Sequence, residues 1–209
     1  MGNRAVVTTK TAAGFCEDAM GLYVHWNGGK DSITAFLKYC EMQGFKSPEV
    51  DSKSWQRMQQ VILNYNEGLS TVTVDICKNL DCDNMDNGVY MIENWQIVGR
   101  KFMNHKEQEE YPLKEMLLSI DEKQPKFMQI HDKILMEFAT ANKIIMDMCG
   151  DAETGYRVVK ILICDGQRHY STIYHDSDYG KCLEWMNAFA AKNGFRYDGE
   201  NAKTWIKTA

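Results

Sequence analysis

The sequence lacks a long apolar run and has no excess of positive charge. No apolar stretch in its 209 residues approaches the roughly 20 that a membrane-spanning helix needs. The first residues also lack the charged-then-apolar layout of a secretory signal, so we expect a cytoplasmic protein. A net charge of −5 argues against a protein that binds polyanions over its whole surface, although a local basic face remains open.

The seven cysteines never form a C-x-x-C pair. Cys77 and Cys82 are five residues apart, but no second pair or nearby histidine completes a set of zinc ligands. The odd number and the scatter also argue against a disulfide framework and for a reducing compartment. We therefore predict neither a metal site nor structural disulfides.

Hydrophobic periodicity predicts an α+β protein. Alternating, β-rich segments predict strands near residues 4–9, 21–26, 70–77, 89–93, 95–100, 156–164 and 169–174. Apolar stripes predict helices near residues 32–43, 52–65, 126–149 and 180–192, and a further helical stretch is predicted from Pro112 to Ser119. The resulting division is an N-terminal α+β domain (1–101), a helical connector (102–150) and a smaller C-terminal β-hairpin-plus-helix domain (151–209).

The most informative segment joins a predicted strand to a predicted helix. A glycine pair lets the backbone turn tightly and present N–H groups at a helix start, which is the chemistry of an anion cradle. An ordinary strand-to-helix turn has the same residues. His25, at the end of the predicted strand, is also more simply explained as a hydrogen-bonded structural residue than as a catalytic one. The candidate phosphate- or RNA-binding residues of this segment are His25, Asn27, Gly28, Gly29, Lys30, Asp31 and Ser32.

The stretch Asn27–Ser32 resembles the PP-loop of ATP pyrophosphatases, whose motif is Ser-Gly-Gly-x-Asp-Ser. The resemblance implies an enzyme that binds ATP and magnesium around these residues, with Asp31 near the metal, and that forms an adenylate. Two features depart from that family. Asn27 replaces the phosphate-binding serine, and the chain enters a second predicted helix after Pro48, where a second parallel strand should follow.

Two further segments carry charge. The acidic stretch Asp81–Gly88 is typical of a turn, and a magnesium site built from nearby carboxylates is the alternative. The basic residues Arg100 and Lys101 are followed by His105 and Lys106, with aromatic residues close by. Such interleaving suits single-stranded RNA, although a solvated loop would have the same composition.

Three segments together resemble a family of small proteins carried by phages and mobile elements of Gram-positive bacteria. They are Met1–Val6, Tyr23–Ser32 and Asp86–Arg100, so the resemblance covers residues 1–101. Through this family the chain resembles type II-A anti-CRISPR proteins. The resemblance implies an anti-defence protein without a cofactor, which inhibits a host nuclease complex such as Cas9 by binding the effector or its guide RNA. A plain interaction module of a mobile element is a further alternative.

Overall fold

The computed structural model describes residues 3–101, 111–138, 143–164, 167–197 and 205–208. The chain forms two compact units, Met1–Ile134 and Leu135–Ala209, which we call the first and the second unit. Each combines a β-sheet with helices, which confirms the α+β class. Among the helices in the described ranges, none has both the length and the apolar character that crossing a bilayer requires.

The first unit is built on a five-stranded sheet. Its strands are β1 (Ala5–Thr9), β2 (Met20–Val24), β3 (Val72–Ile76), β4 (Val89–Glu93) and β5 (Gln96–Lys101). They lie in the order β3–β2–β1–β4–β5. Only β1 and β4 are parallel neighbours, and the other pairs are antiparallel. The predicted hairpin of the first two strands is confirmed.

Helices cover one face of this sheet. They are α1 (Lys30–Met42), α2 (Ser54–Tyr65) and α3 (Leu113–Glu122). α1 packs against α2 and α3, while α2 also contacts β2 and β3. Side chains alternate along a strand, so Leu22 and Val24 share one face, and both are fully buried. The opposite face carries a smaller cluster of Val6, Cys77 and Val89.

A buried polar network ties α1 to α3. The Tyr39 hydroxyl donates to Oδ1 of Asp121 over 2.7 Å, and the backbone N–H of Ile130 donates to the same oxygen over 2.7 Å. Asp121 is only 2% exposed. Burial, followed by the hydrogen bond to Asp121, raises the pKa of the Tyr39 phenol well above its usual range. The phenol therefore stays protonated and satisfies a carboxylate that would be costly to bury alone.

The sequence pattern predicts one helix from Lys126 to Cys149, and this prediction is wrong. The chain forms a short helix, α4 (His131–Glu137), and then a strand, β6 (Lys143–Asp151). Ile144, Met146 and Met148 are buried at every second position, which is the period of a strand. The expected connector (102–150) also differs from the structure, because α3 packs within the first unit and the units divide after Ile134.

The second unit has its own sheet and one long helix. Beside β6 it contains β7 (Gly155–Cys164), β8 (Gln167–Asp176), α5 (Tyr179–Asn193), β9 (Arg196–Tyr197) and β10 (Trp205–Thr208). The strand order is β8–β7–β6–β10–β9, with antiparallel neighbours throughout. The Asp178 side chain caps α5 by accepting from the backbone N–H of Gly180 and of Lys181. The predicted C-terminal hairpin and helix are confirmed.

Candidate functional site

The candidate turn leads from β2 into α1, as the sequence predicts. Asn27 has a positive φ of 61°, and Gly29 is the N-cap residue of a helix that begins at Lys30. No side chain caps this helix. β2 has antiparallel neighbours on both sides, β1 and β3, so the turn does not have the parallel-sheet setting that the PP-loop resemblance implies.

Gly28 is explained by a close approach to the chain's own N-terminal segment. Its N–H donates to the Asn3 carbonyl over 2.7 Å. A Cβ at this position would lie 2.6 Å from that oxygen and 2.7 Å from the backbone nitrogen of Ala5. Real Cβ atoms do not approach backbone so closely. The glycine therefore lets two backbone segments touch, whether or not the turn binds a ligand.

Two N–H groups of the turn are already used inside the protein. Gly28 donates to Asn3, and the N–H of Ser32 donates to Oδ1 of Asp31 over 2.7 Å. That carboxylate lies in the first turn of α1, where a bound anion would otherwise accept hydrogen bonds. The geometry thus favours a structural turn over a phosphate cradle formed by backbone N–H groups.

Asn3 joins three parts of the first unit, and we call this set of hydrogen bonds the Asn3 junction. The Asn3 N–H donates to the His25 carbonyl over 3.2 Å, and its carbonyl accepts from Gly28. Its side-chain oxygen accepts from Nδ2 of Asn87. Nε of Arg100 in turn donates to the Asn87 carbonyl over 3.1 Å. Candidate residues that are far apart in the sequence are therefore brought together.

The predicted acidic turn holds the other side of this junction. The buried Asn84 side chain bonds the backbone of the turn with both polar atoms. Its Nδ2 donates to the Gly88 carbonyl, and its Oδ1 accepts from the Gly88 N–H. Nε of Arg4 donates to Oδ2 of Asp86 over 2.7 Å. Burial opposes ionisation of Asp86, but the hydrogen bonds and charge of Arg4 outweigh it and hold the pKa of this carboxyl below its usual range.

The predicted basic pair Arg100 and Lys101 is split by the sheet. Adjacent residues of a strand point to opposite faces. The Arg100 guanidinium lies 4.6 Å above the ring centroid of Tyr90. Nζ of Lys101 lies 5.1 Å from the ring centroid of Phe15 and 3.4 Å from Oδ1 of Asp83. His105 and Lys106 lie outside the described residues.

His25 and Asn27 have partners on both sides of the turn. Nδ1 of His25 is 2.9 Å from the Tyr23 hydroxyl, and its ring meets Trp26 edge to face with centroids 5.4 Å apart. Nδ2 of Asn27 donates to Oδ1 of Asn66, at the end of α2, over 2.7 Å. These contacts give His25 a hydrogen-bonded structural position.

A cleft lies beside the turn. It consists of two adjoining hollows of about 490 and 590 Å³ that share Asp31 and Tyr111. Their size is that of ordinary ligand or side-chain pockets. Lys30 is exposed at the cleft, and Tyr111 is 69% exposed. The other lining residues are Asn3, Asn27, Ser32, Thr34, Tyr65, Pro112, Leu113 and Met116.

Within the described ranges, no three histidine, cysteine or carboxylate side chains come together so that they could hold a metal ion. Three carboxylates that the magnesium alternative would use have partners within the protein. Asp83 pairs with Lys101, Asp86 pairs with Arg4, and Asp75 accepts from Asn79. Six cysteines are free thiols: Cys16, Cys40, Cys77, Cys82, Cys149 and Cys182.

Sequence reasoning missed four residues that the structure places at this site: Asn3, Asn66, Asn87 and Tyr111. Their partners lie up to 84 residues away in the chain, so no local pattern marks them. Asn87 belongs to an Asn-Gly dipeptide, which indicates a turn but does not indicate a contact with Asn3.

Comparison of the chain with protein-family models, curated proteins and solved structures gives no match.

We expect Gly28→Ala to destabilise the first unit by about 2–3 kcal/mol, because the new methyl group would overlap immovable backbone. Urea unfolding followed by circular dichroism measures this loss. Gly99→Ala is the matched control. Its methyl group would meet mainly the end of the flexible Met91 side chain, so we expect a cost below about 1 kcal/mol. Equal costs for both variants would contradict the close-approach explanation.

The Arg4–Asp86 pair predicts a pH-dependent stability. The pKa of Asp86 is lower in the folded state than its ordinary value of 3.8. Its stabilising effect is therefore complete above that value and is lost as the pH falls through the folded pKa. Asp86→Asn should lower the melting temperature at pH 7, and this difference should vanish in strong acid. Asp83→Asn, which removes a more exposed pair, should have a smaller effect. A difference that is constant down to pH 2 would contradict this assignment.

Proposed function

We propose that this chain is an anti-defence protein that inhibits a nuclease ribonucleoprotein of a bacterial host, such as type II-A Cas9, by binding the effector or its guide RNA. One observation supports this proposal best. The three segments that carry the resemblance to proteins of phages and mobile elements, separated along the chain, meet at the Asn3 junction. The resemblance thus corresponds to one continuous region of the first unit.

The side chains around this region suit an interaction surface. Trp26 is 43% exposed and Tyr111 is 69% exposed, and the exposed Lys30 lines the same cleft as Tyr111. Aromatic residues dominate the energy of protein interfaces when they enter a pocket on the partner, and a cation adds attraction to acidic or phosphate groups. The cleft gives such a partner a concave surface to fill.

We expect Lys30→Ala with Tyr111→Ala to raise the protein concentration needed for half-inhibition of Cas9 DNA cleavage by about tenfold. The matched control is Lys53→Ala with Val50→Ala, two exposed residues just before the start of α2. Asn66, which bonds Asn27 of the turn, follows the opposite end of this helix. The start of α2 is about 18 Å from Asn66 for a 12-residue helix. Arg100 is left unchanged because it holds the Asn3 junction.

The guide RNA is examined on a denaturing gel from the same reactions. Blocked DNA cleavage with an intact guide supports inhibition by binding. A shortened guide would contradict inhibition by binding alone, and would mean that the protein cleaves RNA or recruits a nuclease. Unaffected cleavage with an intact guide would overturn the proposal for that Cas9, and equal potency of the two double variants would overturn the assigned surface.

The PP-loop alternative is tested on the same protein by its melting temperature with and without MgATP. A ligand present at 100 times its Kd would stabilise the fold by about 2.7 kcal/mol, a rise of about 5 °C or more. We expect no rise, because Gly28 and Ser32 already donate their N–H groups inside the protein. A rise that Asp31→Asn abolishes would favour the enzyme.

A further inference from the structure

The sheet of the second unit has one face covered by α5 and one face that α5 leaves open. On the covered face Met146 and Val158 are fully buried, and the Tyr174 ring stacks on Trp185 with centroids 4.9 Å apart. Because side chains alternate along each strand, Ile145 and Ile161 point to the opposite face. Both are only partly buried.

One row of residues crosses this open face over all five strands. Tyr170 of β8 pairs with Ile161 of β7, which pairs with Ile145 of β6. Ile145 pairs with position 206 of β10, which pairs with Arg196 of β9. Four strand spacings of about 4.8 Å separate the two ends by about 19 Å. The row has an aromatic side chain at one end, 64% exposed, and an exposed arginine at the other.

Two more arginines lie on the same face. Arg168 is two residues before Tyr170 on β8, and Arg157 of β7 pairs with His175. Both arginines are exposed. The ion pairs found within the described ranges, such as Arg4–Asp86 and Lys101–Asp83, do not include Arg157, Arg168 or Arg196. By the same alternation β6 places two carboxylates on this face, Asp147 and, at the end of the strand, Asp151. Against them stand three arginines, so positive charge is in slight excess.

We propose that this open face binds single-stranded nucleic acid, with a base stacked on Tyr170 and phosphates bound by Arg168 and Arg196. Arg168 lies two residues from the exposed ring of Tyr170, and Arg196 lies at the far end of the row. A single strand lying across this face would meet the two contacts that it uses, stacking and phosphate pairing. The half-buried isoleucines between them offer an apolar floor for sugars and bases. Single strands fit better than a duplex, because stacking on Tyr170 requires an unstacked base. This inference does not depend on the proposed function.

The test is fluorescence anisotropy of a labelled 12-nucleotide RNA, and of the same sequence as DNA, titrated with the full chain at low salt. We expect Tyr170→Ala to weaken binding at least about fivefold, whereas Tyr170→Phe keeps the stacking ring and the affinity. Arg168→Gln and Arg196→Gln should each reduce the slope of log K against log salt by about 0.7. Binding of either strand supports the proposal, and a preference for RNA adds a 2′-hydroxyl contact.

Lys192→Gln is the matched control, since it removes an exposed cation from α5, on the covered face. The affinity of this variant for the labelled strands should equal that of the unchanged protein. Absence of binding to both strands at low salt would overturn the proposal, as would an unchanged affinity of Tyr170→Ala. Because these variants lie in the second unit and the inhibition variants in the first, failure of one proposal is distinguishable from failure of the other.

Discussion

The hydrogen bonds of Asn3 hold the first unit together at the point where its distant segments meet. The N-terminal strand must pair with β4, which lies more than 80 residues further along the chain, and closing so long a loop costs conformational entropy. Asn3 offsets part of this cost by bonding His25 and Gly28 on one side and Asn87 on the other. The junction lies next to the end of β1, the strand that pairs with both β2 and β4.

This constraint explains why the glycine-rich turn looks like an anion site. A turn that must admit another backbone segment needs a glycine, and a turn that must admit a phosphate needs one too. Here Gly28 contacts the backbone at Asn3, and the Gly28 N–H donates to the Asn3 carbonyl. Exposed side chains lie beside this buried backbone, among them Trp26 and Lys30. Structural and binding roles are therefore divided between neighbouring residues of one motif.

The two units present different charge patterns. In the first unit several cations are paired with carboxylates, as Arg4 is with Asp86 and Lys101 with Asp83, so those charges are largely balanced. In the second unit three exposed arginines stand on one sheet face around partly buried isoleucines. An overall negative charge therefore coexists with a local positive face.

Local patterns by themselves determined most helices and strands of this protein, the α+β class and the turn that carries the candidate residues. Hydrophobic periodicity is sufficient for this, because it records which side of each element is buried. For residues 143–149 the pattern predicts helix where the structure has strand, because closely spaced apolar residues fit both periods. Trp95, expected in a strand, lies in a turn at a φ of 62° while its Nε1 donates to Phe45. Only the tertiary structure decided that Arg100 and Lys101 point apart and that Asn3 and Asn87 meet, because sheet order and long-range hydrogen bonds leave no periodic trace in the sequence.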